Sequence, residues 1–254
     1  VRFTNSGTEA NMMAMMTARV VTGRDKIVTF SGDYHGIFDE VLGRSVSRDG
    51  QSSVVPVAPG ILPNMLENLI LLDYGNEQSL RVIKARAHEI AAVIVEPLQR
   101  AIRPEPGFLE GLREATRDRD ILLIFDEIVT GFRLAYGGAQ ERYGVTPDIC
   151  TLGKIIGGGM PVGAFGGRAD IMDQLSPQGP IYQAGTLSGN PVAMAAGLVS
   201  LRKLKANPEI YSALNEKATK LVAGLKAVAQ ENNIGLQVDT RGSMFGFFFA
   251  DKMP

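Results

Sequence analysis

Runs of four or five residues, nearly all apolar, recur along the chain at 26–30, 68–72, 91–95, 121–125, 149–152 and 162–166. Few polar residues interrupt them, so each predicts a strand buried on both faces. Between these runs, apolar positions return every three or four residues over 8–21, 77–87, 108–118 and 171–175, the spacing of helices with one apolar stripe. Strands of this kind separated by helix-length stretches predict an α/β fold, a mostly parallel sheet sandwiched by helices.

After Gly189 the alternation gives way to two longer helical stretches, 191–205 and 208–231. The second begins with a proline, which suits a first helical turn. The predicted organisation is a large domain over residues 1–206 and the beginning of a C-terminal α+β subdomain over 207–254. Residues 43–63 mix Gly, Ser, Asp and Pro without clear periodicity and predict a long loop. Val1-Arg2-Phe3-Thr4 reads as a strand already under way, and 243–250 reads as a strand with no later segment to pair against. The chain is therefore expected to be a fragment. Met12, Met13, Met15 and Met16 are read as gap-filling core on one helix.

Composition removes several function classes. With 26 basic and 27 acidic side chains and a net charge of −1, the chain lacks the basic face that nucleic-acid binding needs. Its apolar runs fall far short of the roughly 20 residues that span a bilayer. The single cysteine, Cys150, and the absence of a leader pattern make a reducing cytoplasm the expected location. Two histidines, His35 and His88, without paired spacing give no metal site.

Three strand-to-helix junctions carry chemistry. Asn5-Ser6-Gly7-Thr8-Glu9 places hydroxyls and amides at a helix start, which suits a phosphate; the same residues also read as a capping box from Ser6 to Glu9. Phe125-Asp126-Glu127 delivers two acids at the carboxyl end of an apolar strand, where open α/β sheets bind ligands, although solvated loop acids fit as well. Lys154 lies between Gly153 and the run Gly157-Gly158-Gly159, where apolar neighbours would strip water from its amine and favour its nucleophilic form. Ile155 stands where a P-loop needs Ser or Thr, so this is no nucleotide motif.

Taken together, Asn5-Ser6-Gly7-Thr8-Glu9-Ala10, Tyr34-His35-Gly36, Glu96-Pro97, the stretch from Phe125-Asp126-Glu127 to Arg133, Thr151-Leu152-Gly153-Lys154 and the stretch Gly185-Thr186 to Pro191 resemble the class-III pyridoxal-phosphate aminotransferases. The likeness runs over the whole chain in family order, and the glutamate-1-semialdehyde 2,1-aminomutases are the branch it most resembles. The stretches after Tyr34-His35-Gly36 and at Leu98-Gln99-Arg100 look more like transaminases that act beside peptide and polyketide assembly lines.

The resemblance implies a fold-type-I enzyme with pyridoxal phosphate as cofactor. It implies that Lys154 forms the Schiff base and then moves the substrate proton, and that Asp126 keeps the ring nitrogen protonated. By the same likeness, Ser6, Gly7 and Thr8 hold the phosphate, Tyr34 stacks on one ring face with Ile128 on the other, His35 belongs to the cofactor site, and Glu96 lies near the phenolic oxygen. It further implies a homodimer in which Thr186 reaches the neighbouring subunit's cofactor, and a small amino or keto substrate. The implied reaction is intramolecular amino exchange. An intermolecular aminotransferase and a non-catalytic domain of the same fold are the alternatives.

Overall fold

A computed structural model describes residues 1–48, 51–99 and 104–250. The chain runs through β1 (Arg2–Thr4), α1 (Gly7–Thr22), β2 (Lys26–Phe30), β3 (Gly43–Arg48), β4 (Gln51–Pro56), β5 (Leu69–Leu72), α2 (Glu77–Ala85), β6 (Ile90–Val95) and α3 (Phe108–Arg117). It continues with β7 (Leu122–Asp126), α4 (Gly138–Tyr143), β8 (Ile149–Leu152), β9 (Gly163–Gly167), α5 (Ala169–Met172), α6 (Pro191–Ala206), α7 (Glu209–Glu231), β10 (Gln237–Arg241) and β11 (Met244–Phe248).

Seven strands form the central sheet in the order β1-β9-β8-β7-β6-β2-β5. All pairings from β5 to β8 are parallel, while β9 is antiparallel to both β8 and β1. The predicted α/β sandwich is the observed class. Its strands are buried on both faces because successive residues go to opposite helical layers. Val28, Phe30, Val93, Val95, Leu123 and Phe125 pack with Phe108, Leu109 and Leu112 of α3, whereas Ile27, Ala92, Ile94 and Ile124 pack with Ala14, Met15 and Ala18 of α1. Apolar spacing on α3 at Phe108, Leu109, Leu112 and Ala115 fixes that helix to its face of the sheet.

Several expectations are corrected. The loop expected over 43–63 holds an antiparallel ribbon, β3 against β4, whose turn residues 49 and 50 lie outside the described residues. Its serines and arginines hid it, because a ribbon packed on one face needs no continuous apolar run. Gly43 allows close packing there: a Cβ would meet Val54 at 2.6 Å and Leu69 at 2.8 Å. The strand expected over 243–250 does have a partner, since β11 pairs with β10. Of the four methionines, only Met15 is fully buried; Met12 and Met16, one turn apart, lie on the outer face of α1. The short α4 and the reversed direction of β9 had no periodic signal. A tyrosine hydroxyl ties the C-terminal helix to the body of the fold, Tyr211 Oη donating to the Phe132 carbonyl at 3.1 Å. Among the described residues, no helix is long and apolar enough to cross a membrane.

Candidate active site

The topology sends the loops after β1, β2, β6, β7 and β8 out of the same edge of the sheet, its carboxyl edge. There they enclose a cavity of about 360 Å³, a size that suits a cofactor. Ser6, Gly7, Thr8, Tyr34, His35, Glu96, Asp126, Ile128 and Lys154 all line it. Nine of the ten residues expected from the sequence are thus brought together. Thr186 is not: it is exposed in the turn after residue 185 and borders no part of this cavity.

At one end of the cavity lies the start of α1. Ser6 caps the helix, its Oγ accepting from Glu9 N–H at 3.2 Å, and the Ser6 carbonyl takes Ala10 N–H at 3.1 Å. Ser6 thus supplies its half of the capping box, while Glu9 turns back past it to accept from Asn5 N–H at 2.8 Å, one residue before the cap. The amides of Gly7 and Thr8 have no protein acceptor among the described residues and border the cavity. Gly7 lets Ile128 approach closely, since a Cβ would stand 2.6 Å from Ile128 Cδ1. Gly36, at φ +115°, brings the loop of Tyr34 and His35 against Thr8.

The floor is carboxylate-rich. β7 ends by pointing Asp126 into the cavity and Glu127 the opposite way. Glu127 is buried and spent on structure: it accepts from Ala139 N–H at 2.6 Å, Gln140 Nε2 at 3.0 Å and Thr130 Oγ1 at 2.9 Å, bracing the start of α4. Asp126 is 3% exposed and accepts from Ile128 N–H at 3.1 Å through Oδ1. Its Oδ2 takes Asn11 Nδ2 and His35 Nδ1, each at 2.8 Å. Burial works against a charge on His35, but Asp126 and Asp33 outweigh it and push the imidazole up to about 10. Glu96 is pushed up to about 8, first by burial and then by the charges of Asp33 and Asp126. Its Oε2 accepts Tyr34 N–H at 3.2 Å.

Lys154 follows β8 with a left-handed backbone, φ +43°, unusual for a residue with a side chain. The desolvation expected there is not found. Lys154 is exposed, while its apolar neighbours Ile156 and Val162 cluster with Ala164 and Ala193. Tyr34 likewise stands at the rim, 60% exposed. The sequence reading missed Asn11 and Asp33. Asn11 was detectable as the one amide among the alanines and methionines of α1; Asp33 carried no comparable signal.

These donors match pyridoxal phosphate group by group: free helix-start amides for a phosphate, a buried carboxylate for a cationic ring nitrogen, and a primary amine for an aldehyde. The fold is that of the pyridoxal-phosphate-dependent transaminases, and the donors at the site suit that cofactor. The family model for "Aminotransferase class-III" matches residues 1–254, and the chain belongs to that family. It is 50% identical over 259 residues to glutamate-1-semialdehyde 2,1-aminomutase 2 of Exiguobacterium sibiricum, covering 99% of this chain and 58% of that protein. Among solved structures, an omega-transaminase from Sphaerobacter thermophilus superposes with a TM-score of 0.91 at 40% identity, covering 99% of this chain and 60% of the other. A glutamate-1-semialdehyde aminomutase from Pseudomonas aeruginosa in complex with PMP gives 0.86 at 28% identity, covering 100% and 58%. The chain thus spans less than two thirds of the length of these relatives.

Proposed function

We propose that the chain forms the cofactor-binding part of an enzyme that transfers amino groups between two small molecules, an intermolecular class-III transaminase. One observation carries the amino-transfer chemistry: the Lys154 amine and the buried Asp126 carboxylate border one cavity that begins at the exposed amides of a helix. Pyridoxal phosphate, when bound, supplies an electron sink for the carbon that loses its proton. Gly7 and Thr8 hold its phosphate through N–H groups, with the Ser6 and Thr8 hydroxyls alongside. Asp126 orients and neutralises the ring cation, Ile128 and Tyr34 confine the ring, and Glu96, protonated near neutral pH, offers a proton to the phenolic oxygen. The Lys154 amine takes the substrate proton and returns it. An active dimer follows from the same reading, with the exposed Thr186 turn reaching the partner's phosphate.

Transfer between two molecules is favoured over internal exchange by two observations. A mutase must retain its diamino intermediate under a closing lid. Here, among the described residues, the paired strands β3 and β4 line no part of the cavity, and the omega-transaminase superposes more closely than the aminomutase. The second reading, an aminomutase, is supported by the 50% identity to the Exiguobacterium protein. Reconstitution of the complete protein with pyridoxal phosphate decides between them. Amino transfer that requires both a donor and a keto or aldehyde acceptor is expected; turnover of glutamate-1-semialdehyde with no second substrate would establish the mutase instead.

A further inference from the structure

The two aspartates flanking His35 differ in what they face. Asp126 lines the cavity. Asp33, in the turn after β2, has a side chain 1% exposed and is absent from the cavity wall. Asp33 Oδ2 stands 3.5 Å from His35 Nε2, an ion-pair separation, and Nε2 has no hydrogen-bond partner. The same Oδ2 accepts Glu96 N–H at 3.1 Å, and Oδ1 accepts Gln99 Nε2 at 2.7 Å, while Gln99 also holds the Ser31 carbonyl at 2.8 Å. Among the described residues, these bonds fix the Asp33 carboxylate and bring no cationic side chain to it other than His35. On the other side, Asn11 Nδ2 bridges the His35 carbonyl and Asp126 Oδ2, each at 2.8 Å, and so fixes the second pair.

We propose that Asp33 is a positioning residue that acts on Asp126 through His35, forming a buried chain of carboxylate, imidazole and carboxylate behind the ring site. The inference rests on the reading of Asp126 as the partner of the ring nitrogen. A neutral imidazole protonated at Nδ1 would satisfy Asp126 equally well; Asp33 supplies the reason for a second proton at Nε2. The groups facing His35 are Asp33 from the turn after β2, Asp126 from β7 and Glu96 from the end of β6, three carboxyls around one base. An imidazolium between them holds Asp126 through a charge-assisted hydrogen bond at 2.8 Å and so keeps its carboxylate aimed at the ring site. With a neutral His35 that hydrogen bond would be weaker and the carboxylate less firmly held.

The test uses the complete protein, with the His35 imidazole followed by NMR in its cofactor-free form. His35 is expected to stay protonated through about pH 8.5, and Asp33→Asn is expected to lower its midpoint by about two pH units. The dissociation constant for pyridoxal phosphate should rise about tenfold in Asp33→Asn, and the same change made in a His35→Gln background should have no further effect. An unaltered His35 midpoint in Asp33→Asn, or an equal loss of affinity in both backgrounds, overturns the proposal. Should Asp33→Asn fail to fold, the unsubstituted protein decides: a neutral His35 at about pH 7.5 overturns it. Asp126→Asn separates the two readings. If Asp126→Asn leaves cofactor affinity intact, the reading of Asp126 itself fails; if it weakens affinity while Asp33→Asn does not, only the role of Asp33 fails.

Discussion

The two edges of the central sheet handle buried charge in opposite ways. At the amino edge, Asp148 is held by Arg113 at 2.8 Å, Arg168 at 3.0 Å and Leu123 N–H at 2.8 Å, and Arg24 donates to the carbonyls of Ile90, Arg119 and Asp120. The positive surplus there is solvated, the Arg168 side chain being 55% exposed. At the carboxyl edge, Asp33, Glu96 and Asp126 surround one histidine, and all four are buried. A buried charge left uncompensated is costly, so the first arrangement belongs to stability and the second suits the cationic ring proposed above.

Substitutions at the two edges should therefore separate activity from stability. The largest effect is expected for Lys154→Ala, which should lower amino transfer by about 10³-fold or more while leaving the thermal midpoint close to that of the parent. Asp148→Ala should do the reverse. It strands the Arg113 guanidinium, 12% exposed, and is expected to cost about 3–5 kcal/mol in denaturant unfolding with the turnover of the folded fraction unaltered. A loss of turnover in Asp148→Ala at full folding would break the contrast between the edges.

Next in size is the pH dependence of the carboxyl edge. Glu96 and His35 both bind their protons more tightly in the folded chain than in the unfolded one, at about 8 against 4.5 and about 10 against 6.5. Their contribution to stability is therefore complete below the unfolded values and is lost as pH rises, between 4.5 and 8 for Glu96 and between 6.5 and 10 for His35. Glu96→Gln should flatten the earlier decline and leave the later one, as read from thermal midpoints across this range. The smallest effect is expected at Gly7, whose added methyl meets the movable end of Ile128. Gly7→Ala should cost about 1 kcal/mol, and Ile128→Val should restore part of it.

The sequence disclosed most of the parallel sheet because a strand buried on both faces writes an unbroken apolar run, as at Ile90–Val95. It hid the ribbon over 43–56, whose alternating serines and arginines carry no such run, and the direction of β9, which depends on its neighbours. Local spacing did not separate Asp126 from Glu127, which only the family resemblance told apart, since strand alternation sends one to the cavity and the other to the start of α4 only once the sheet is built. Asp33 was illegible for a related reason. Its partners His35, Glu96 and Gln99 come from two different strand ends, and no local pattern records a meeting across the sheet.

The backbone at residue 154 has one more consequence. A side chain held at φ +43° costs the native state about 1 kcal/mol that a residue without a Cβ would not incur. Glycine at this position should make the protein harder to melt and chemically inert, so selection for thermal robustness alone would drive the lysine out. A lysine held in so unfavourable a conformation is what the chemistry proposed for this position would require.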